Sequence, residues 1–129
     1  MKYMLMMTTT AQSWSSFGAM TTEEVRAHIQ FMKDINVELA RTKELVDARG
    51  LTMPNETKVV RAGAGGAPIV TDGPFPETKE FLAGFWILDV KSPERVYEIA
   101  AKISTAPGRG GAPMNFPVEI RPVGSAPEV

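Results

Sequence analysis

The sequence predicts a single α+β domain in which two amphipathic helices cover one face of an antiparallel sheet. Each predicted helix has one apolar stripe, so it can pack on one surface only, and the predicted strands are bounded by glycine, proline and aspartate turns. The 129-residue chain, 43% apolar and 22% charged, has the composition of a globular domain. We expect one domain over residues 1–123 and a frayed tail over residues 124–129.

The first predicted strand covers residues 2–7, and the threonine- and serine-rich residues 8–17 are predicted to form a loop. A helix follows, because Thr21 and Glu24 fit a capping box, in which a threonine oxygen and a glutamate satisfy free amides of the first turn. Its apolar residues recur every three or four positions until the helix ends near residues 41–44.

Residues 58–62 and 68–71 are short β-prone runs, and the glycine-rich residues 63–66 between them predict a hairpin. Residues 81–89 are apolar at both alternating sets of positions, which indicates a central strand.

The second helix begins where Ser92 can cap and Pro93 occupies the first helical position. Its apolar stripe consists of Val96, Ile99, Ala100 and Ile103. A loop over residues 105–115 and a last strand over residues 116–123 complete the chain.

This order of elements is typical of a ferredoxin-like split βαβ fold that carries an extra hairpin. Since both helices pack on one face of the sheet, the other face is uncovered, although the first and central strands are apolar on both sides. An apolar patch of that size is rare on a monomer. We therefore expect a homodimer with sheet against sheet and a cavity between the sheets.

Composition excludes several classes of function. The net charge is −1, which gives no basic surface for direct nucleic-acid binding. Cysteine is absent and His28 is the sole histidine, so thiolate chemistry and a multi-histidine metal site within one chain are excluded, and we predict no metal or other cofactor. The sequence shows no signal peptide and no apolar run of about 20 residues, which predicts a cytoplasmic protein without membrane contact.

Residues 70–80, VTDGPFPETKE, form a run that local turn chemistry explains only in part. This run resembles the signature of DGPF proteins within the YCII-related family. Residues 44–51, 57–61, 82–89 and 118–123 resemble further segments of that family in the same order. The resemblance implies a dimeric α/β-barrel of ferredoxin-like subunits. It also implies two possible settings: some members accompany extracytoplasmic-type sigma factors, and related proteins have been proposed as enzymes because of a histidine–aspartate pair in a cleft.

Asp72 and His28 are the candidate catalytic residues. Histidine suits general acid–base chemistry because its side chain titrates near neutral pH, and Asp72 could orient it across the fold. The alternative for His28 is a histidine at the edge of the core with a satisfied hydrogen bond. The alternative for Asp72 is a carboxylate that caps its own turn.

Arg61, Glu77, Lys79 and Glu80 are the candidate ligand-binding residues. An arginine facing a dimer cavity could clamp a carboxylate or phosphate, whereas the alternative for Arg61 is an interface salt bridge. The other three could bind a polar ligand at a cleft mouth, or form a solvated strand entry. The sequence thus favours a homodimer with a small-molecule site and acid–base chemistry of unknown reaction. The alternative is a non-enzymatic accessory or ligand-sensing module that binds a sigma factor.

Overall fold

The computed structural model of the chain describes residues 1–73 and 80–127. The strands and α-helices of this part of the chain are, in order, β1 (Lys2–Thr9), α1 (Ala11–Gly18), α2 (Thr22–Arg41), β2 (Leu45–Gly50), β3 (Lys58–Ala62), β4 (Pro68–Asp72), β5 (Phe81–Asp89), α3 (Pro93–Ser104) and β6 (Val118–Pro122).

Four strands form an antiparallel sheet in the order β2-β5-β1-β6, and β3 pairs with β4 in a separate two-stranded sheet. The prediction of a central strand over residues 81–89 is confirmed, since β5 lies between β2 and β1. Leu45–Gly50 was not predicted as a strand, yet it supplies the edge strand beside β5. The architecture is therefore α+β, as the sequence predicts.

Both long helices begin at the residues that the sequence predicts. At the start of α2, the Thr21 hydroxyl oxygen accepts from the Glu24 amide (3.1 Å), and the Glu24 carboxylate accepts from the Thr21 amide (2.8 Å). At the start of α3, the Ser92 hydroxyl oxygen accepts a hydrogen bond from the Arg95 amide (3.3 Å). These bonds satisfy amides that a helix start otherwise leaves without partners.

The predicted loop over residues 8–17 is wrong. Strand β1 continues to Thr9, and Ala11–Gly18 forms the helix α1. The Thr10 side chain accepts a hydrogen bond from the Ser13 amide (3.2 Å), so this threonine caps a helix start rather than marking a loop.

The core lies between one face of the four-stranded sheet and the helices α2 and α3. Tyr3 is paired with Leu88 and Leu5 with Trp86, so these four side chains point to the same side of the sheet. All four are buried, and they pack with helix residues Ile35, Leu39, Val96, Ile99, Ala100 and Ile103. The apolar stripe that the sequence predicts for α3 is therefore its buried face.

The opposite face of the sheet carries an apolar stripe that no helix of residues 1–73 and 80–127 covers. It consists of Met4, Met6, Phe85 and Ile87, which are half-buried and are paired across β1 and β5. Charged residues of the two edge strands flank this stripe, because the partners of its members on β6 and β2 are Glu119, Arg121, Asp47 and Arg49.

The predicted hairpin over residues 58–71 is confirmed as β3 and β4, but every residue of both strands is exposed. Its largest exposed apolar side chains are Val59, Val60, Ile69 and Val70. The hairpin thus stands apart from the main core, within the part of the chain that the structure describes.

Candidate functional site

A cleft of about 680 Å³ opens between the end of β1, the helix α1 and the loop that joins α3 to β6. Its volume lies within the range of small-molecule sites. The described residues that line it are Met7, Thr8, Thr9, Thr10, Ser13, Ser16, Phe17, Met20, His28, Glu80, Ala83, Gly108, Arg109, Ala112, Pro113, Met114, Phe116 and Pro117. The lining is mostly apolar, with hydroxyls, one histidine and two charges among the methionine and aromatic side chains.

Helix α1 supplies one wall of the cleft, and its position depends on Thr10 and Ser13. The Thr10 hydroxyl donates to the Ser13 hydroxyl oxygen (3.2 Å) while its own oxygen accepts from the Ser13 amide (3.2 Å). Because the Ser13 oxygen accepts from Thr10, the Ser13 hydroxyl can direct its own hydrogen toward a ligand, and no acceptor within residues 1–73 and 80–127 takes that hydrogen. The Thr9 and Ser16 hydroxyls donate instead to backbone carbonyls.

The loop between α3 and β6 supplies the facing wall. The Gly108 amide donates to the Ala112 carbonyl (2.7 Å), and the Met114 amide donates to the Ala106 carbonyl (2.9 Å), so the loop folds back on itself. Its tip contains Gly110 at φ 65° and Gly111 at φ 77°, a region that favours glycine. The tip therefore has a defined shape, which fixes the backbone that carries Arg109.

Glu24 joins this loop to the start of α2. One carboxylate oxygen accepts from the Thr21 amide, and the other accepts from the Gly110 amide. The hydrogen bond from Gly110 is the largest cause that lowers the pKa of Glu24 below its ordinary value. The capping glutamate of α2 thus also positions the cleft wall.

His28 is the buried polar side chain of the core, with 8% exposure. Its Nδ1 lies 3.1 Å from the carbonyl oxygen of Pro107, and since a carbonyl only accepts, Nδ1 carries the hydrogen. The ring of Phe17 packs edge-on against the imidazole, with ring centroids 5.2 Å apart. In the neutral imidazole, Nε2 then has the free lone pair.

Nε2 of His28 reaches the cleft. Among the described residues, every buried side-chain nitrogen or oxygen has a hydrogen-bond partner. Nε2 of His28 has no partner in that part of the chain, so it is not one of the buried atoms. The atom is therefore accessible, and His28 lines the cleft. This arrangement can accept a proton or a hydrogen bond from a bound molecule.

Arg109 and Glu80 are the charged residues among the described lining, and both are exposed. Arg109 makes no ion pair within 4 Å in residues 1–73 and 80–127. It lies near enough to Glu24 to lower the pKa of that carboxyl, but no nitrogen of its guanidinium is within 4 Å of a Glu24 oxygen. As far as the described part of the chain shows, the Arg109 guanidinium donors are therefore available to a ligand.

Comparison with known protein families shows the family to which this chain belongs. A family model described as the YCII-related domain matches residues 1–112. The chain belongs to the YCII-related family. A curated relative, an uncharacterized protein of Rhizobium meliloti (strain 1021), is 34% identical over 71 residues, which are 55% of this chain and 53% of the relative. The chain therefore spans about half the length of the curated relative that it matches.

Two of the predicted site residues of this YCII-related protein, His28 and Glu80, line the same cleft. Asp72 does not line it; it lies at the end of β4, and its carboxylate accepts from the Lys58 ammonium group of the same hairpin. Arg61 lies on β3, also outside the cleft lining.

Glu77 and Lys79 lie outside the described residues. The functional roles of all six candidate residues stay predictions.

Sequence reasoning predicted the loop over residues 105–115 but missed its part in the cleft, and it missed helix α1. Thr10 and Ser13, three positions apart, were a helix-capping signal within residues that the pattern assigned to a loop. Arg109 is followed by two glycines, and these residues indicated a turn. They did not indicate that this turn contacts the start of α2.

No group of three or more histidine, aspartate or glutamate side chains within residues 1–73 and 80–127 is arranged to hold a metal ion. In the same part of the chain, no helix combines the length and the apolar character needed to cross a bilayer.

Proposed function

We propose that this YCII-related protein binds a small organic molecule in the cleft and that His28 exchanges a proton with it. The observation that carries the proposal is the hydrogen bond from Nδ1 of His28 to the Pro107 carbonyl. This bond fixes which ring nitrogen bears the hydrogen and leaves Nε2 as the proton acceptor toward the cleft.

The surroundings of His28 support a defined orientation of the imidazole. The ring is held by a hydrogen bond on one side and by Phe17 on the other, and its exposure is 8%. An acceptor that is already oriented loses little conformational freedom when a ligand binds. Glu80 provides a carboxylate on the cleft lining, so a proton relay has two candidate groups, His28 and Glu80.

The tautomer of His28 can be tested directly, because the chain has one histidine. In a long-range nitrogen–proton NMR spectrum at a pH where the imidazole is neutral, we expect the hydrogen on Nδ1 and none on Nε2. A neutral imidazole protonated on Nε2 would contradict the proposal.

Two substitutions separate binding chemistry from packing. His28→Asn places an amide donor near the position of Nδ1, so it retains a partner for the Pro107 carbonyl and removes the acceptor at Nε2. His28→Gln places its polar group near the position of Nε2 instead. For a ligand found by thermal-shift screening of metabolites, we expect His28→Asn to fold normally and to lose about tenfold or more in affinity. Unchanged affinity in this variant would overturn the role of Nε2.

We further propose that the subunit is ferredoxin-like and that two chains pair through their exposed sheet faces. The apolar stripe formed by Met4, Met6, Phe85 and Ile87 supports this pairing, since water otherwise contacts it. Each flank of the stripe contains one acidic and one basic residue, so a two-fold copy can match opposite charges.

Analytical ultracentrifugation tests this pairing. The parent chain should sediment as a dimer at micromolar concentration, whereas Phe85→Glu should shift it toward a monomer, because a carboxylate would be buried in an apolar interface. Val37→Glu adds the same charge at an exposed position of α2 and should leave the dimer intact. A monomeric parent chain would refute the proposed pairing.

The accessory-module alternative, with a sigma factor as partner, stays a prediction from the resemblance, as do the DGPF assignment and the cytoplasmic location. A pull-down from native cells that recovers a sigma factor would favour that alternative. Recovery of the self-dimer alone would count against it.

A further inference from the structure

We propose that the cleft takes a small organic anion with an apolar body, and that Arg109 binds the anionic group. This inference rests on the proposed small-molecule site and adds the chemical class of its ligand. It depends on three features of the cleft: an arginine that makes no ion pair among the described residues, hydroxyl donors elsewhere in the lining, and otherwise mostly apolar walls.

Arg109 is placed for binding by the rigid turn that carries it. The Gly108 and Gly111 amides donate within the loop (2.7 and 3.1 Å), and the Gly110 amide donates to Glu24. Backbone hydrogen bonds therefore hold the turn, and the guanidinium of Arg109 takes no part in them. A guanidinium has donors in a planar fork that matches a carboxylate.

The opposite wall adds neutral donors. The Ser13 hydroxyl accepts from Thr10 and has its own hydrogen to give. Thr8 also lines the cleft. Hydroxyl donors and a cation in the lining of one cleft favour an acceptor-rich group such as an oxyanion.

The remaining lining favours an apolar ligand body. Met7, Met20 and Met114 present flexible thioether side chains, and Phe17 and Phe116 add aromatic surface. Methionine side chains adapt to apolar ligands of different shape. Glu80 in the lining and Glu24 near Arg109 would each repel an anion, so we expect the anionic group to contact the Arg109 guanidinium directly.

Three probes with the same phenyl group and similar length test the charge of the ligand: 3-phenylpropanoate, its neutral amide, which has nearly the same shape, and the cationic 3-phenylpropylamine. The NMR signals of His28 report binding, since the sole histidine lines this cleft. We expect the propanoate to shift these signals at lower concentration than the amide, and the amine to bind most weakly. Equal binding of propanoate and amide, or preference for the amine, would overturn the inference.

Arg109→Gln should weaken propanoate binding roughly tenfold or more, because it removes a charge-assisted contact. It should leave binding of the amide unchanged. Arg41→Gln is the matched control, since it removes the same charge from an exposed residue that does not line the cleft. Equal losses in the two variants would show a general charge effect and refute the assignment of Arg109.

The outcomes separate this inference from the proposed function. If the amide binds as well as the propanoate and still shifts the His28 signals, the cleft binds small molecules but not through an anionic group. If none of the probes shifts these signals at 10 mM, the anion class is wrong, while the His28 tautomer measurement still decides the proposed acid–base role independently.

Discussion

Replacing Glu44 with glutamine should destabilise the protein, and the effect should disappear in acid. Glu44 stands between α2 and β2, and its carboxylate oxygens accept from the Nε of Arg95 (2.8 Å) and from a terminal guanidinium nitrogen of Arg95 (2.7 Å). The Thr42 hydroxyl donates a third bond (2.7 Å). The ion pair therefore joins α3 to the connection that enters the sheet.

The size of the effect follows from these contacts. A hydrogen bond to a charged group contributes roughly 1.5–3 kcal/mol. Glutamine retains one acceptor oxygen and turns its amide donors toward Arg95, so one charge-assisted bond is lost. The Glu44 side chain is 15% exposed but that of Arg95 is 36% exposed, and solvent screening reduces the loss to about 1–2 kcal/mol in the free energy of unfolding. For a domain of this size, Tm should fall by roughly 3–10 °C.

The lowered pKa of Glu44 determines in which direction its stabilising effect changes with pH. The hydrogen bonds from Arg95 are the largest cause that lowers the pKa of Glu44 below 4.5. A lowered pKa in the folded state means that the charged form stabilises the fold, fully above the unfolded value and less as pH falls through the folded value. The parent chain and Glu44→Gln should therefore differ at pH 7 and converge toward about pH 2.

Urea denaturation at both pH values is the assay. Glu56→Gln is the matched control, because Glu56 is exposed and makes no ion pair among the described residues. A loss at pH 7 no larger than that of the control, or a difference from the parent that persists in strong acid, would refute the role of this ion pair.

Three further outcomes follow from the core, a helix cap and the cleft wall. Leu88→Ala, at a side chain with no exposure, should cost about 2–5 kcal/mol in urea denaturation, and a loss below about 1 kcal/mol would contradict the described packing. Ser92→Ala should cost about 0.5–2 kcal/mol in the same assay, because it removes the cap of α3, and no loss would contradict the cap. Glu24→Gln should accelerate hydrogen exchange of the Gly110 amide at pH 7, whereas Glu23→Gln should not. In the parent chain the protection of this amide, taken relative to its intrinsic exchange rate at each pH, should be lost only as pH falls through the lowered pKa of Glu24. Equal exchange in both variants at pH 7 would contradict the contact.

The sequence predicted those parts of the fold that local chemistry determines. Thr21 with Glu24 and Ser92 with Pro93 fix helix starts through bonds to neighbouring amides, so their spacing is visible in the sequence. Strand β2 was missed because LVDARG lacks a clear alternation, and its extended form depends on pairing with β5. Distant pairing of this kind leaves no local signal.

The cleft could not be predicted for the same reason. Its walls are α1 and the loop between α3 and β6, which the fold brings to one end of the sheet from separate parts of the chain. The contact between Glu24 and Gly110 joins residues 86 positions apart. A capping glutamate is visible in the sequence, but its second acceptor role depends on where that loop lies.

His28 shows why a structural and a catalytic interpretation of one residue need not compete. The sequence offered either a core-edge histidine with a satisfied hydrogen bond or an acid–base group. The bond to Pro107 satisfies one ring nitrogen, and by placing the hydrogen on Nδ1 it leaves the lone pair on Nε2, the nitrogen that reaches the cleft. If the proposed chemistry is correct, removal of the structural bond alone should impair it, because the ring would lose both its orientation and its tautomer. His28→Gln, which keeps a polar group near Nε2 but loses the donor to Pro107, should therefore bind the ligand no better than His28→Asn does.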